Sequence, residues 1–222
     1  MQIDPDGYKL AAFFLAGVIL LGGGYLVAPH KVLLWFAAVV CLLTVFTLFF
    51  FRDPQRIEPE DADAAISAAD GVVVDVSRVP ADGFDSDGAL RIAVFMNVFN
   101  VHVNRSPLAG TVVKTCHRRG KKLSAYNKRA EYENEHGDTD IETRFGLVRV
   151  RQIAGLIARR VVTRVKKGDV LNRTDRIGLI RFGSRVDVFL PGVFEPVVSN
   201  GVRVRAGETV IARPTGIDNR EK

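Results

Sequence analysis

The sequence predicts a mainly β protein, in which a compact β-rich sandwich or barrel domain follows an N-terminal α-helical hairpin. Residues 10–27 and 32–51 contain no charged side chain, which predicts two apolar helices. From residue 65 onward, short runs of β-branched and aromatic residues alternate with turn signals. Residues 165–182 and 197–214 each place valines and a glycine turn before an apolar strand, like the hairpins of lipoyl- and biotinyl-type modules. This weak repeat favours a barrel over an α/β sheet.

The two apolar runs predict that residues 1–51 form a membrane-associated hairpin, which either spans the bilayer or lies in one leaflet. Each run is close to the roughly 20 residues that cross a hydrocarbon core, and only residues 28–31 separate them. A second apolar run directly after the first disfavours a cleaved signal peptide. A hairpin buried inside the protein is the alternative, but the polar remainder of the chain offers little surface to bury it.

The distribution of charge predicts a lipid-facing domain on the cytoplasmic side of the cell (inner) membrane. The net charge of +6 falls entirely on residues 52–222, and Arg52 and Arg56 directly follow the second apolar run. A basic domain held at an anionic bilayer favours contact with lipid. Motifs for stacking on bases are absent from the sequence, so we expect no nucleic-acid partner. Cys41 and Cys116 suggest neither a metal site nor a disulfide.

Residues 52–64 are rich in Pro, Asp and Glu, which predicts a linker between the hairpin and a domain formed by residues 65–222. A short helix or polar lid is expected over 124–135. Glycine, proline and aspartate turns separate the expected strands, which cover 72–79, 90–96, 98–103, 110–116, 141–150, 153–166, 176–182, 185–190 and 208–213.

The stretch GLIRFGSRVDVFLP, residues 178–191, places Gly183 and Ser184 in the middle of a good strand. It lacks the GxSxG pattern of α/β-hydrolases. A serine hydroxyl in this position can attack the preceding carbonyl, here that of Gly183, and convert the peptide bond to an ester. Elimination of that ester cuts the chain and leaves a dehydroalanine, which hydrolyses to a pyruvoyl group and ammonia. Glycine tolerates the strained backbone that such an attack needs.

This self-cleavage needs a base and a carboxylate that orients it. Asp70 in SAADG and His102 in NVFNVHVNRSPLAG supply both residue types. With Asp70 orienting His102 and His102 acting on Ser184, the three form a candidate triad. Each also has a structural interpretation: a turn aspartate, a structural strand histidine, and a β-bulge at Gly-Ser.

Five segments together resemble phosphatidylserine decarboxylase, in its short bacterial or archaeal-type subfamily. The resemblance follows the chain in order and is most specific in HVNRSP and FGSRVDVFLP. The segments are FFRDPQR (50–56), SAADG (67–71), FNVHVNRSPLAG (99–110), ENEH (133–136) and RFGSRVDVFLP (181–191).

The resemblance implies a proenzyme that cleaves itself between Gly183 and Ser184. The products are a β chain, residues 1–183, and an α chain, residues 184–222. The two chains form a heterodimer, and the resemblance leaves open whether heterodimers assemble further. Ser184 becomes a pyruvoyl cofactor, whose ketone forms a Schiff base with the serine amine of phosphatidylserine. Decarboxylation then releases phosphatidylethanolamine and carbon dioxide. No metal is implied.

The same resemblance assigns roles to further residues. Asp70 and His102 match the family's processing pair, and His102 is our candidate for the proton donor after decarboxylation. Longer members carry a histidine where this chain has Phe99, so the role of that histidine does not transfer. The family's Asn-Glu-Arg is Asn-Glu-His here, which makes His136 a candidate polar contact for the substrate. Asn104 and Arg105 are candidate contacts for the phosphodiester.

Two alternatives remain open from the sequence. A pyruvoyl enzyme of this kind can decarboxylate another amine, either archaetidylserine or a soluble amino acid. A non-enzymatic carrier module on a membrane anchor is the other alternative, suggested by the lipoyl-like turns. It lacks a suitably flanked lysine at a hairpin tip, because Lys166 and Lys167 precede a common Gly-Asp turn.

Overall fold

The computed structural model describes residues 2–80, 82–84, 88–121, 123–124, 129–156, 160–181 and 184–215. The chain divides into two compact units, and the division falls between Gln55 and Arg56. The prediction of a membrane segment, a linker and a decarboxylase domain as separate functional parts stays a prediction.

The first unit is a helical hairpin closed by a short pair of strands. Strand β1 (Gln2–Ile3) leads into helix α1 (Pro5–Val27), and helix α2 (Lys31–Phe50) leads into β2 (Arg52–Asp53), which pairs antiparallel with β1. Asp4 caps α1 by accepting a hydrogen bond from the backbone N–H of Asp6 at 3.0 Å. By length and composition both helices are able to cross a bilayer. The predicted helical hairpin is confirmed.

The second unit is mainly β and contains one very short helix among its described residues. Its strands and helix follow in chain order: β3 (Ala65–Ile66), β4 (Gly71–Val79), β5 (Ala89–Met96), β6 (Val103–Arg105), β7 (Gly110–Arg118), α3 (Ala130–Glu133), β8 (His136–Thr143), β9 (Gly146–Ala154), β10 (Arg160–Thr163), β11 (Val170–Leu171), β12 (Arg176–Arg181), β13 (Ser184–Leu190), β14 (Phe194–Pro196), β15 (Arg203–Val204) and β16 (Val210–Pro214). The predicted β-rich fold class is confirmed.

One curled eight-stranded sheet organises this unit, in the order β11-β7-β8-β9-β13-β5-β4-β15. Two three-stranded sheets accompany it, β10-β12-β6 and β14-β16-β3. Strand β13 lies between β5 and β9, and all seven of its residues are buried. Val186, Val188 and Leu190 point to the hydrophobic core. The intervening Arg185 and Asp187 therefore point to the opposite face, because side chains alternate along a strand.

The structure corrects three of the expected elements. Residues 98–103 are not one strand: a turn closed by Asn97 and Asn100 comes first, and β6 begins only at Val103. Residues 141–166, expected to form two strands, contain the turn of a hairpin and one further strand. Strand β8 ends at Thr143, and β9 starts at Gly146. Helix α3 covers only Ala130–Glu133 of the expected 124–135, and residues 125–128 lie outside the described residues.

Part of the predicted linker is fixed to the β domain. The Arg173 guanidinium donates to the Glu58 carboxylate at 2.6 Å and to the Ala64 carbonyl at 3.0 Å, and it also contacts the Asp61 carbonyl. Its side chain is only 6% exposed. These hydrogen bonds hold residues 58–64 against the turn that precedes β12, so this segment enters β3 on a defined path.

The close approach of β4 to β5 requires glycine at position 71. A Cβ atom there would lie 2.0 Å from the carbonyl oxygen of Phe95, a backbone atom that cannot move aside. We expect Gly71→Ala to lower the free energy of unfolding by roughly 2–4 kcal/mol, because the two strands must separate. Denaturant unfolding of the purified protein measures this loss.

Gly24→Ala is the matched control for this substitution. A Cβ atom at residue 24 would meet Leu33 at 3.7 Å, an ordinary van der Waals contact. Stability equal to that of the wild type in Gly71→Ala would show that β4 does not depend on this close approach.

Candidate active site

Ser184 is the first residue of the central strand and is completely buried. It is paired with Met96, the last residue of β5, and with Ala154, the last residue of β9. Its hydroxyl donates to the Met96 sulfur at 3.4 Å. Ser184 therefore lies at one end of the large sheet, which we call the Ser184 end. Gly183, the predicted partner in cleavage, lies outside the described residues.

Asp70 lies at the same end of the sheet, directly before β4. Val72 pairs with Phe95, so the register brings Gly71 level with Met96. Two strand spacings then separate the Asp70 segment from Ser184, a distance of about 10 Å. The Asp70 carboxylate accepts hydrogen bonds from Arg56 at 2.8 and 3.0 Å and from the backbone N–H of Ala206 at 2.8 Å. This buried aspartate is thus held as the partner of a buried arginine.

His102 lies directly before β6, in which Asn104 contacts Met96, the strand partner of Ser184. Val103 pairs with Leu179, and the antiparallel register continues toward Ile180, four residues before Ser184. The His102 ring is buried, with Nδ1 3.0 Å from the Asn100 carbonyl oxygen. Because a carbonyl can only accept, Nδ1 carries the proton, and in the neutral ring Nε2 then has the lone pair. This is the tautomer that a general base at Nε2 needs.

Asp70 and Ser184 therefore lie at the same end of the large sheet, as the register of β4, β5 and β13 shows. His102 comes from a third segment and lies two residues before Asn104, whose amide contacts Met96. Their roles as a catalytic triad stay a prediction.

A buried pair of amides lies next to Ser184, and no sequence motif marks it. Gln152 on β9 donates to the Asn104 side-chain oxygen at 2.8 Å, and the Asn104 amide nitrogen lies 3.7 Å from the Met96 sulfur. Thr163 donates to the other end of Gln152 at 3.3 Å. Asn104, Gln152 and Ser184 are all 0% exposed. Asn104 was expected to contact a phosphodiester, but these contacts favour a role in positioning Met96 and Ser184.

Arg105 is also buried, and it fastens β6 to its surroundings. Its backbone N–H donates to the Ala68 carbonyl at 3.0 Å, close to Asp70, and its guanidinium donates to the Thr174 carbonyl at 2.9 Å. Its predicted contact with the substrate phosphodiester stays a prediction. The geometry supports a role in joining the HVNRSP segment to the SAADG segment.

His136 lies across the sheet from Ser184. It pairs with Ile153, and Ile153 pairs with Arg185, so the His136 side chain shares the face of Arg185 rather than that of Ser184. There it lines a cavity of about 390 Å³ together with Tyr132, Arg151 and Phe189. Its Nδ1 lies 2.9 Å from the Asn134 carbonyl oxygen. The position of His136 on this face does not support its predicted contact with the substrate, which stays a prediction.

Asn134 is a second residue whose importance only the structure reveals. Its amide nitrogen donates to the Leu123 carbonyl at 2.8 Å and to the Ala154 carbonyl at 2.7 Å, and its oxygen accepts from the Leu123 N–H at 2.9 Å. Asn134 thereby connects residue 123 to Ala154, the strand partner of Ser184. This explains in physical terms why the ENEH segment belongs to the site region.

A charged layer covers the face of β13 opposite Ser184. Arg185 holds Asp187 with two hydrogen bonds of 2.6 and 2.7 Å, and Glu131 from α3 contacts Arg91. Burial raises the pKa of Asp187 to about 6, although the Arg185 guanidinium opposes this rise. Burial would also raise the pKa of Asp75 nearby, but hydrogen bonds from Ser77 and Arg91 lower it below its ordinary value. The layer thus contains one carboxyl group that titrates near neutral pH.

Within the described ranges of the chain, no group of three or more His, Cys, Asp or Glu side chains is arranged to hold a metal ion. The residues gathered at the Ser184 end are instead a hydroxyl, an imidazole, an ion-paired carboxylate and two amides.

The fold and this site together define a class of protein: a mainly β enzyme with a buried serine at the start of its central strand. The sequence profile of the phosphatidylserine decarboxylase family matches residues 43–212. The chain belongs to the phosphatidylserine decarboxylase family and is accordingly a decarboxylase.

Three relatives named phosphatidylserine decarboxylase proenzyme show how far the likeness extends. That of Pelobacter propionicus is 45% identical over 211 residues, covering 94% of each chain. The protein of Oleidesulfovibrio alaskensis is 49% identical over 180 residues, covering 80% of this chain and 82% of the relative. That of Geotalea uraniireducens is 45% identical over 212 residues, covering 94% and 95%.

The raised pKa of Asp187 predicts a specific dependence of stability on pH. Between about pH 4 and pH 6 the unfolded chain releases this proton while the folded chain keeps it, so the free energy of unfolding falls as pH rises. We expect the stability of the wild type relative to Asp187→Asn to fall by on the order of 2–3 kcal/mol from pH 4 to pH 7. Denaturant unfolding of both proteins across this range measures the difference.

Asp75→Asn is the control with the opposite sign. The pKa of Asp75 is lowered, so the wild type should lose its advantage over this variant as pH falls. Parallel stability curves for the wild type and Asp187→Asn would contradict the assignment of a raised pKa to Asp187.

Proposed function

We propose that this protein decarboxylates phosphatidylserine to phosphatidylethanolamine and carbon dioxide, with a pyruvoyl group made from Ser184 when the bond from Gly183 to Ser184 is cleaved. The observation that carries the proposal is the burial of Ser184 at the start of a strand that is paired on both sides. The three relatives support it, because each is named a phosphatidylserine decarboxylase proenzyme.

The residues around Ser184 fit a prosthetic group formed in place. Strand β13 pairs with β5 from Ser184 to Leu190 and with β9 from Ser184 to Phe189, and all of these pairs lie on the C-terminal side of the cleaved bond. Cleavage before Ser184 therefore leaves the new chain end held against Met96. The environment of Ser184 is dry, which protects a reactive carbonyl from water.

The two products of cleavage would remain one folded unit. The α chain contributes β13 and β15 to the large sheet and β14 and β16 to a small one. Its partners β5, β9, β4 and β3 all belong to the β chain. This interleaving supports a heterodimer that cannot separate without unfolding both sheets.

The pyruvoyl group supplies an electron-withdrawing carbonyl that takes up the electrons left behind when carbon dioxide departs. His102 Nε2 would accept the Ser184 hydroxyl proton during cleavage and, once charged, return a proton to the substrate carbon. The ion pair of Asp70 with Arg56 fixes the segment beside it. The Asn104 and Gln152 amides form a buried hydrogen-bonded pair that contacts Met96, the strand partner of Ser184.

The N-terminal unit favours a lipid over a soluble amine. Two helices able to cross a bilayer would keep the enzyme beside a substrate whose acyl chains stay in the bilayer, whereas a dissolved substrate does not require this location. We place the catalytic domain on the cytoplasmic side of the cell membrane, since the net positive charge follows the second helix. Family membership rules against the carrier-module alternative.

Ser184→Ala removes the hydroxyl that attacks the Gly183 carbonyl, so we expect a single uncleaved chain of about the full 24.4 kDa without decarboxylase activity. The wild type should give two chains, and the 39-residue α chain (184–222) should carry a ketone in place of its first amine. Intact-mass spectrometry of the purified proteins measures both results.

Ser199→Ala is the control, because this α-chain serine is exposed and should not affect cleavage. An active Ser184→Ala enzyme, or normal cleavage in that variant, would exclude Ser184 as the precursor. Carbon dioxide release from vesicles of phosphatidylserine, from vesicles of archaetidylserine and from free serine then separates the substrate classes. Preference for free serine would contradict the lipid substrate.

Gln152→Leu should slow cleavage at Ser184 and lower stability, because it leaves the buried Asn104 amide oxygen without its donor. An unsatisfied buried polar group costs roughly 1–3 kcal/mol. The double variant Asn104→Leu, Gln152→Leu removes both polar groups and should recover thermal stability but not the rate of cleavage. The time course of chain cleavage, measured beside the melting temperature, separates positioning from simple support of the fold.

Thr163→Val is the matched control for this pair, since it removes only the outer hydrogen bond to Gln152. We expect it to have the smallest effect on cleavage. Recovery of both stability and cleavage in the double variant would show that the amides serve the fold alone.

A further inference from the structure

Two exposed apolar side chains flank the strand that begins with Ser184. Strand β5 ends at Met96 and is followed by Phe99, which is 64% exposed; β9 ends at Ala154 and is followed by Leu156, which is 67% exposed. Met96 and Ala154 are the two strand partners of Ser184. Phe99 and Leu156 therefore stand beyond the same end of the sheet, one from each neighbouring strand.

The turn that presents Phe99 is held by two asparagines. The Asn97 side-chain oxygen accepts from the Phe99 N–H at 2.9 Å, and the Asn100 side-chain oxygen accepts from the Asn97 N–H at 2.9 Å. The Asn100 N–H donates to the Asn97 carbonyl at 3.0 Å. Such asparagine-closed turns are locally stabilised, so Phe99 is displayed by the turn rather than left outside by a loose loop.

Exposed cations lie toward the same end of the domain. The register from Ser184 through Ala154 to the start of β8 and the end of β7 brings exposed Arg118 to the Ser184 end, followed by exposed Arg119. On the neighbouring sheet, the exposed Arg160 pairs with Arg181, three residues before Ser184 in the chain. Apolar side chains can enter the acyl-chain region of a bilayer, and nearby cations can bind its anionic head groups. This combination therefore suits the boundary between the two regions.

We propose that this surface, formed by Phe99, Leu156, Arg118, Arg119 and Arg160 and here named the Ser184 rim, docks on the lipid–water interface of an anionic bilayer. Phe99 and Leu156 enter the acyl-chain boundary, and the three arginines contact lipid phosphates. A protein partner fits less well, because two apolar side chains among cations make no contiguous apolar patch. Docking on lipid is independent of the chemistry at Ser184; only its purpose, delivery of a lipid substrate, rests on the proposed function.

The Ser184 rim gives the buried site a route to a lipid. Serine head groups lie at the level of the phosphates, so an end of the sheet seated at that level meets the head group without extracting the lipid from the bilayer. Two apolar side chains alone bind a bilayer weakly. The rim therefore suits a domain that its helical hairpin already keeps beside the membrane.

A single-tryptophan experiment on the full chain tests the docking directly. Trp35 is the one tryptophan in the sequence, so Trp35→Phe removes the native tryptophan fluorescence. Phe99→Trp in that variant then reports on residue 99 alone. The matched control is Val170→Trp, because Val170 is 77% exposed but pairs with Thr111 at the opposite end of the large sheet. Both proteins are reconstituted in phosphatidylcholine vesicles with phosphatidylglycerol, with and without brominated acyl chains.

We expect tryptophan at residue 99 to emit at a shorter wavelength and to be quenched by bromine at least about twofold more than tryptophan at residue 170, since only the former enters the acyl region. Removing phosphatidylglycerol should weaken the quenching, because the arginines lose their partners. Equal quenching at the two positions, or a water-like emission from residue 99, would overturn the proposal.

Activity separates this proposal from the proposed function. Phe99→Ser with Leu156→Ser should raise KM for phosphatidylserine in vesicles roughly tenfold more than for a short-chain, water-soluble phosphatidylserine, since only vesicles require docking. Val170→Ser is the control and should raise neither. Quenching at residue 99 without any turnover of phosphatidylserine would reject the proposed function alone, whereas turnover without quenching would reject the Ser184 rim alone.

Discussion

The pairing of β13 on both sides is the constraint on which the rest of the structure depends. A strand between two neighbours satisfies all its backbone groups, and every residue from Ser184 to Leu190 is buried. The pairs made by Ser184 to Leu190 lie on the C-terminal side of the bond before Ser184, so they hold the serine whether or not that bond is intact. A bond broken just before this residue costs the sheet none of these pairs, which is the property that a self-cleaving precursor needs.

The alternation of side chains along β13 gives its two faces different chemistry. Ser184 shares its face with Val186 and Val188 in the core, while Arg185 and Asp187 lie in a charged layer beneath α3. A buried ion pair contributes little net stability, but removing one partner leaves a costly unpaired charge. The charged layer therefore fixes the register of the strand more than it strengthens the domain, and a slip of one residue would carry Asp187 into the core.

The sequence was sufficient for the fold class, the hairpin and the segments that form the site, because each depends on local pattern. Charge-free runs, alternating strands and short motifs are all read from neighbouring residues. Gln152 and Asn134 were missed, since an amide in a strand or a loop is ordinary until its partner is known, and their partners lie 48 and 20 residues away in the chain. His136 was assigned to the substrate by motif, but strand parity places it on the other face of the sheet.

The ion pair of Arg56 and Asp70 connects the membrane-proximal segment to the site. From sequence, Arg56 counted as a cation at the bilayer surface, yet its side chain is only 6% exposed and its guanidinium binds Asp70. The guanidinium binds both carboxylate oxygens, which fixes the orientation of the Asp70 side chain. Asp70 is further fixed by the N–H of Ala206, which would belong to the α chain after cleavage. One carboxylate thus joins three separate segments of the second unit: its first residue, the residues directly before β4, and the loop between β15 and β16.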